Sequence, residues 1–187
     1  MGHKPAMLRL GLIVAAATLV LDQISKAIIL GPMAFSPPSC RAYGISCGAI
    51  DVTSFFDLRM VWNEGVSFGL LTAGSGFERW ALVALQLAIA GFFFWWLRTA
   101  ARPMTAIALG LVIGGAVGNV LDRIRFGAVV DFLDFTGLYF PWVFNVADAG
   151  INVGAGLLLL DFLLHGDKKP APKAVADPAP QNGPDQT

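Results

Sequence analysis

The chain has 187 residues, 56% hydrophobic and 14% charged, with a formal net charge of zero at pH 7 and a mean hydropathy of +0.65. That balance is too apolar for an ordinary soluble domain, and it supplies no basic field for neutralising phosphates, which excludes nucleic acid as an expected partner. What remains is an integral membrane protein.

Four stretches could cross a bilayer core, which takes about 20 mostly apolar residues in a helix. They are Leu8–Leu30, Trp80–Leu97, Met104–Leu121 and Trp142–Leu164. The first has Lys4 and Arg9 at its start, as a secretory signal would. Its length, the Asp22, Gln23 and Lys26 inside it and the lack of a small-residue cleavage site after it predict a retained helix instead. The connection from Gly31 to Arg79 is too long to be featureless. Within it, Ser54–Trp62 approaches period-two alternation of aromatic and branched residues and predicts a strand or hairpin at the membrane surface, in an extracytoplasmic β region over about 49–72. Cys40 and Cys47 fall in the same connection, where a disulfide and two free thiols are both open. The second and third helices are joined by Arg98–Pro103, with Pro103 suited to a helix start. Gly110, Gly114 and Gly118, and then Gly150 and Gly154, recur every four residues and predict close helix packing. The expected domain organisation is one membrane domain over 1–165 and a disordered cytoplasmic tail over 166–187, rich in Pro, Ala, Asp and Lys.

Cations set the expected orientation. Lys4 and Arg9 precede the first helix, Arg98 and Arg102 lie between the second and third, and Lys168, Lys169 and Lys173 follow the fourth. Both termini are therefore expected to be cytoplasmic. On that topology Asp22, Lys26, Asn119, Asp122, Asn145 and Asp148 fall at one level near the opposite face, and Asp131 reaches the same layer from the short connection after the third helix. Each would be expensive facing lipid, so they are expected to face one another or a wet cavity. Asp22 and Lys26, four residues apart, suit a same-face ion pair. Asn119 and Arg123 form another four-residue pair, and Asn145 and Asp148 are three apart.

Absences narrow the chemistry. The two histidines, His3 and His165, lie near the chain ends away from this layer, so it can hold neither a His-containing triad nor a His-based zinc site. Two carboxylates sharing one site do not both ionise easily, so one can act as an acid while the other activates water. Asp131 and Asp148 are the best such dyad. Asp122 is followed by Arg123 and Arg125, Asp22 has Lys26, and no polar neighbour marks Asp134. The same residues also suit a proton or ion relay.

Five ordered motifs then carry a resemblance: "LDQISK" at 21–26, "NEGVSFG" at 63–69, "GGAVGNVLDR" at 114–123, "VVDFLDF" at 129–135 and "FNVADAGIN" at 144–152. From about Leu8 to Leu164 the chain resembles the lipoprotein signal peptidases, or signal peptidase II. These are bacterial inner-membrane aspartic proteases that remove signal peptides from diacylglyceryl-modified prolipoproteins. The resemblance implies a four-transmembrane-helix bundle with an extracytoplasmic β-cradle, Asp131 and Asp148 as the catalytic pair, and no metal or organic cofactor. It also implies supporting or substrate-binding roles for Asp22, Lys26, Asn63, Gly65, Asn119, Asp122, Arg123 and Asn145. Prolipoprotein and membrane lipid are the implied partners, with the active site toward the periplasm. The chain departs from the family in Ala149-Gly150 after the fourth-helix aspartate and in a longer Gly31–Phe55 segment. A small proton-coupled transporter and a non-enzymatic lipoprotein-binding factor are the alternatives.

Overall fold

The computed structural model describes residues 3–33, 48–65 and 76–165. Expectations for Cys40 and Cys47, for 66–72 of the β region and for 166–187 lie outside these residues. Four helices form: α1 (His3–Leu30), α2 (Gly76–Leu97), α3 (Pro103–Phe126) and α4 (Val146–His165). Each is long and apolar enough to span a membrane, and the protein is a multi-pass membrane protein. The most apolar stretch of α3 is 67% buried, against 28% for α1, 17% for α2 and 22% for α4. α3 is thus the central post, and the other three turn apolar faces outward.

The glycines explain how α3 is enclosed. A Cβ at Gly110 would strike the carbonyl of Gly11 and one at Gly114 the carbonyl of Ala15, both on α1. Across the interface with α4, a Cβ at Gly154 would come within 2.6 Å of the Ala108 carbonyl. The predicted small-residue faces are therefore helix contacts, where backbone approach substitutes for a hydrophobic driving force between helices. α3 starts with Pro103 in its first turn and stops at Gly127, whose φ of 84° lets its N–H close onto the Arg123 carbonyl at 3.0 Å. At the end of the bundle where α3 starts, Asp161 of α4 accepts from Thr105 Oγ1 at 2.7 Å and pairs with Arg102 at 3.3 Å and His165 at 3.0 Å. This ties α3 to α4, and the sequence reading did not foresee it.

The other end carries an antiparallel four-stranded sheet in the order β1 (Ala49–Asp51), β2 (Asp57–Asn63), β3 (Val129–Asp134) and β4 (Val143–Phe144). The predicted β region supplies only β1 and β2. β3 and β4 come from the connection between α3 and α4, so the fourth helix begins at Val146 and not at Trp142. Met60 and Trp62 of β2 and Val130 and Phe132 of β3 pack with Ile29 of α1 in a buried cluster. Strand alternation then turns Asp131 to the opposite face of the sheet, beside Asn63. The core residues of β3 thereby fix which way its aspartate points.

Candidate active site

Two linked polar clusters fill the space where α1, α3, α4 and the sheet meet. In the first, Lys26 Nζ lies 2.8 Å from both Asp22 Oδ2 and Asp122 Oδ2. Gln23 Nε2 donates to Asp22 at 3.1 Å and to Asp122 at 3.0 Å. Backbone N–H groups complete the set, from Ala147 to Asp22 Oδ1 at 3.0 Å and from Val130 to Asp122 Oδ2 at 3.2 Å. Both carboxylates are 0% exposed and Lys26 is 2% exposed. One cation thus serves two fully buried acids, and backbone donors meet the rest of their demand. Gly118 makes room for this, because a Cβ there would come within 2.6 Å of Asp22 Oδ2.

The second cluster holds Asp131 and Asp148. Asn145, just before α4, donates from its backbone N–H to Asp148 Oδ2 at 3.3 Å, while Asp148 N–H donates back to Asn145 Oδ1 at 2.9 Å. This reciprocal pattern is a capping box in Asn/Asp form, so the helix start itself fixes the Asp148 rotamer. Asn145 Nδ2 then donates to Asp131 Oδ1 at 2.7 Å, so this one residue bonds both carboxyls, Asp131 through its side-chain amide and Asp148 through its backbone N–H. Asn63 Nδ2 holds the other Asp131 oxygen at 2.9 Å, and Asn119 Nδ2 holds Asp148 Oδ1 at 2.8 Å. Lys26 Nζ reaches Asn119 Oδ1 at 3.4 Å and joins the two clusters. Burial, and next the charge of Asp148, push the Asp131 carboxyl from its ordinary 3.8 up to about 7, against the opposing hydrogen bonds from Asn63 and Asn145.

Asp131 and Asp148 line one cavity of about 640 Å³, walled on its apolar side by Phe140, Trp142, Ile151 and Val153. The structure therefore gathers Asp22, Lys26, Asn63, Asn119, Asp122, Asp131, Asn145 and Asp148 into one network. Gly65 lies beside it, at a φ of 108° and facing Leu82 and Arg123.

Three pairings differ from expectation. Asp122 is neutralised by Lys26 and not by the adjacent arginines: Arg125 donates to Gln23 at 3.2 Å and Arg123 to Gln86 at 2.9 Å. Asn119 and Arg123, one helical turn apart, serve different partners. Asp134 has polar neighbours after all, Arg59 Nε at 2.8 Å and the Thr136 N–H at 2.8 Å. Cross-strand neighbours of this kind cannot be read from local sequence. Gln23 and Gln86 are the polar residues whose roles the sequence reading missed. Their depth inside apolar helices was the available signal.

Four membrane helices around a polar cavity lined by two acids, both bonded by Asn145, suit a multi-pass membrane enzyme. The comparisons agree: the model for the family described as signal peptidase (SPase) II matches residues 14–164. The lipoprotein signal peptidase of Caulobacter vibrioides is 45% identical over 157 residues, covering 83% of this chain and 88% of its own. That of Rhizorhabdus wittichii is 49% identical over 170 residues, covering 89% and 91%. A bacterial membrane enzyme solved by the in meso method at 2.3 Å resolution superposes with a TM-score of 0.64 at 26% identity, covering 86% of this chain and 92% of its own. The chain belongs to the signal peptidase II family, and it is a protease.

Proposed function

We propose that the protein is an aspartic endopeptidase that removes the signal peptide from diacylglyceryl-modified prolipoproteins, cutting just before the lipid-modified cysteine, with Asp131 and Asp148 as its catalytic pair. The observation that carries this reading is that two acids line one cavity and one residue, Asn145, bonds both of their carboxyls, Asp131 through its side-chain amide and Asp148 through its backbone N–H. Near neutral pH, Asp131 holds the proton of the pair, as its raised pKa favours. Asp148 stands in the first turn of α4 and accepts from a backbone N–H, at a helix N-terminus where a carboxylate is favourably placed. Asp148 takes a proton from water as it attacks the scissile carbonyl. Asp131 protonates the developing oxygen, and a proton then passes to the leaving amine. No covalent intermediate forms, and each positioned transfer contributes on the order of 10² to 10⁴ in rate. Asn63, exposed at the cavity, is the amide best placed to exchange Asp131 for substrate backbone.

The apolar wall suits a lipid-modified residue, and an anchor lodged in the outer leaflet would hold the scissile bond at the depth of the carboxylates. On this reading the cavity opens on the periplasmic side of the bacterial inner membrane and both termini are cytoplasmic, which the cations at the opposite helix ends support. Residues 1–165 then act as one membrane domain. No observation favours the transporter or binding-factor alternatives.

The test is purified protein in detergent with a diacylglyceryl-modified precursor, an unmodified precursor as control, and mass spectrometry of the products. A single cut before the modified cysteine, absent from the control, is expected. Binding of the modified precursor without a cut by the folded protein would refute the reading.

A further inference from the structure

Between Trp80 and Leu97, α2 carries one polar side chain other than tryptophan, Gln86. An amide in such a helix is costly unless it is satisfied. Gln86 Oε1 accepts from Arg123 Nη1 at 2.9 Å, and this is the one side-chain hydrogen bond that either residue makes among the described residues. Arg123 is 7% exposed, its buried Nε has no hydrogen-bond partner among the described residues, and it interacts electrostatically with Asp131, Asp148 and Asp122. Yet among the described residues it forms an ion pair with none of them.

That is an unusual state for a guanidinium, whose forked donors match a carboxylate and whose attraction grows as water is removed. Asp122 is already held by Lys26. Among the described residues Asp131 and Asp148 are hydrogen-bonded by neutral amides only, so neither has an ion-pair partner that would compete with Arg123. An ion pair there would hold that carboxyl ionised and prevent the two acids from sharing a proton. On its other flank Arg123 faces Gly65, where even a Cβ would lie 3.5 Å from Nη2.

We propose that Gln86 is a positioning residue, which tethers Arg123 close enough for its field to reach the two aspartates but short of an ion pair with either. The inference rests on the two-aspartate reading given above. Other charges on the neighbouring elements are already bound: Asp22 and Lys26 of α1 and Asp122 of α3 to one another, and Arg59 of β2 to Asp134 of β3. α2 presents Gln86 and, in its first turn, Glu78 and Arg79, the latter beside Gly127 at the end of α3, and α4 presents Asp148 itself. Among the described residues Arg123 is the arginine that interacts electrostatically with both aspartates, and a single neutral acceptor, Gln86, holds it.

Gln86→Leu removes the acceptor at similar volume, whereas Gln86→Glu keeps an acceptor oxygen at the same reach. In Gln86→Leu the alkaline limb of the kcat–pH profile is expected to move to lower pH by about 1 to 3 pH units, as for a carboxyl gaining a cation within ~4–6 Å. At pH 7, kcat falls about tenfold for each pH unit moved while KM stays within about twofold. Gln86→Glu restores most of kcat. A readout without substrate runs in parallel: the infrared band of the protonated carboxyl, identified by its loss in Asp131→Asn, titrates at lower pH in Gln86→Leu.

An unmoved band and an unmoved limb in folded Gln86→Leu would overturn the proposal while leaving the protease reading intact. A band that moves in a protein with no cleavage activity would support the tether and count against the protease reading. If Gln86→Leu fails to fold, Gln86→Met is read the same way.

Discussion

Replacing Asp131 with asparagine should change how stability depends on pH, and the structure sets the size of the effect. The Asp131 side chain is 2% exposed, and its carboxyl stands at about 7 in place of the ordinary 3.8. Between those values the folded protein holds a proton that the unfolded chain releases. Stability from this group is therefore fully present below pH 3.8 and is lost as pH rises toward 7. The interval is about three pH units, each equivalent to about 1.36 kcal/mol, so the wild type should lose about 4 kcal/mol across it and then level off. Asparagine does not titrate, and the other buried acids are present in both proteins and largely cancel in the difference. The assay is denaturant unfolding of detergent-solubilised wild type and Asp131→Asn from pH 4 to pH 8, followed by tryptophan fluorescence. The wild type should weaken relative to the variant as pH rises. Parallel curves would refute the claim that burial and Asp148 hold this carboxyl protonated.

Other consequences follow from single contacts. Lys26→Met leaves Asp22 and Asp122 buried without their cation, and should cost about 3 to 5 kcal/mol in the same unfolding assay, with part recovered by adding Asp22→Asn. Gly114→Val drives a side chain into the Ala15 carbonyl and Thr18, and should lower stability by about 1 to 3 kcal/mol or more. Gly156→Ala meets nothing within 4 Å, and thermal melting should show it unchanged or up to about 1 kcal/mol more stable. Asn145→Ala removes both the α4 cap and the link between the acids. It should cost about 1 to 2 kcal/mol in stability and on the order of 10² in kcat, and loss of one without the other would separate the two roles.

Much of this was legible in the sequence, because the bilayer simplifies what an apolar run can be. Four helices and the glycine contacts followed from length and four-residue spacing, and the gathering of Asp22, Lys26, Asn119 and Asp148 followed from depth. The sheet was half visible. β2 alternates cleanly, whereas "VVDFLD" reads as a continuous apolar run interrupted by acids, because Val130 and Phe132 pack against α1 and β2 while Val129 is also buried. The Asn145-x-x-Asp148 spacing was visible as a pair but not as a capping box, since the expected helix start at Trp142 placed both residues inside the helix. Arg59–Asp134 and Gln86–Arg123 join residues 75 and 37 positions apart, which no local pattern discloses.

The central claim is that Asp131 and Asp148 act together as the acid and base of peptide hydrolysis. Its most direct test is single-turnover cleavage of a diacylglyceryl-modified prolipoprotein by wild type, Asp131→Asn and Asp148→Asn, each matched to wild type in helicity and melting cooperativity at one pH. The account predicts that each variant alone loses at least about 10³ in rate, and that the double variant is little worse than either, because the two carboxyls act as one unit. Near-wild-type cleavage by either folded single variant would contradict it.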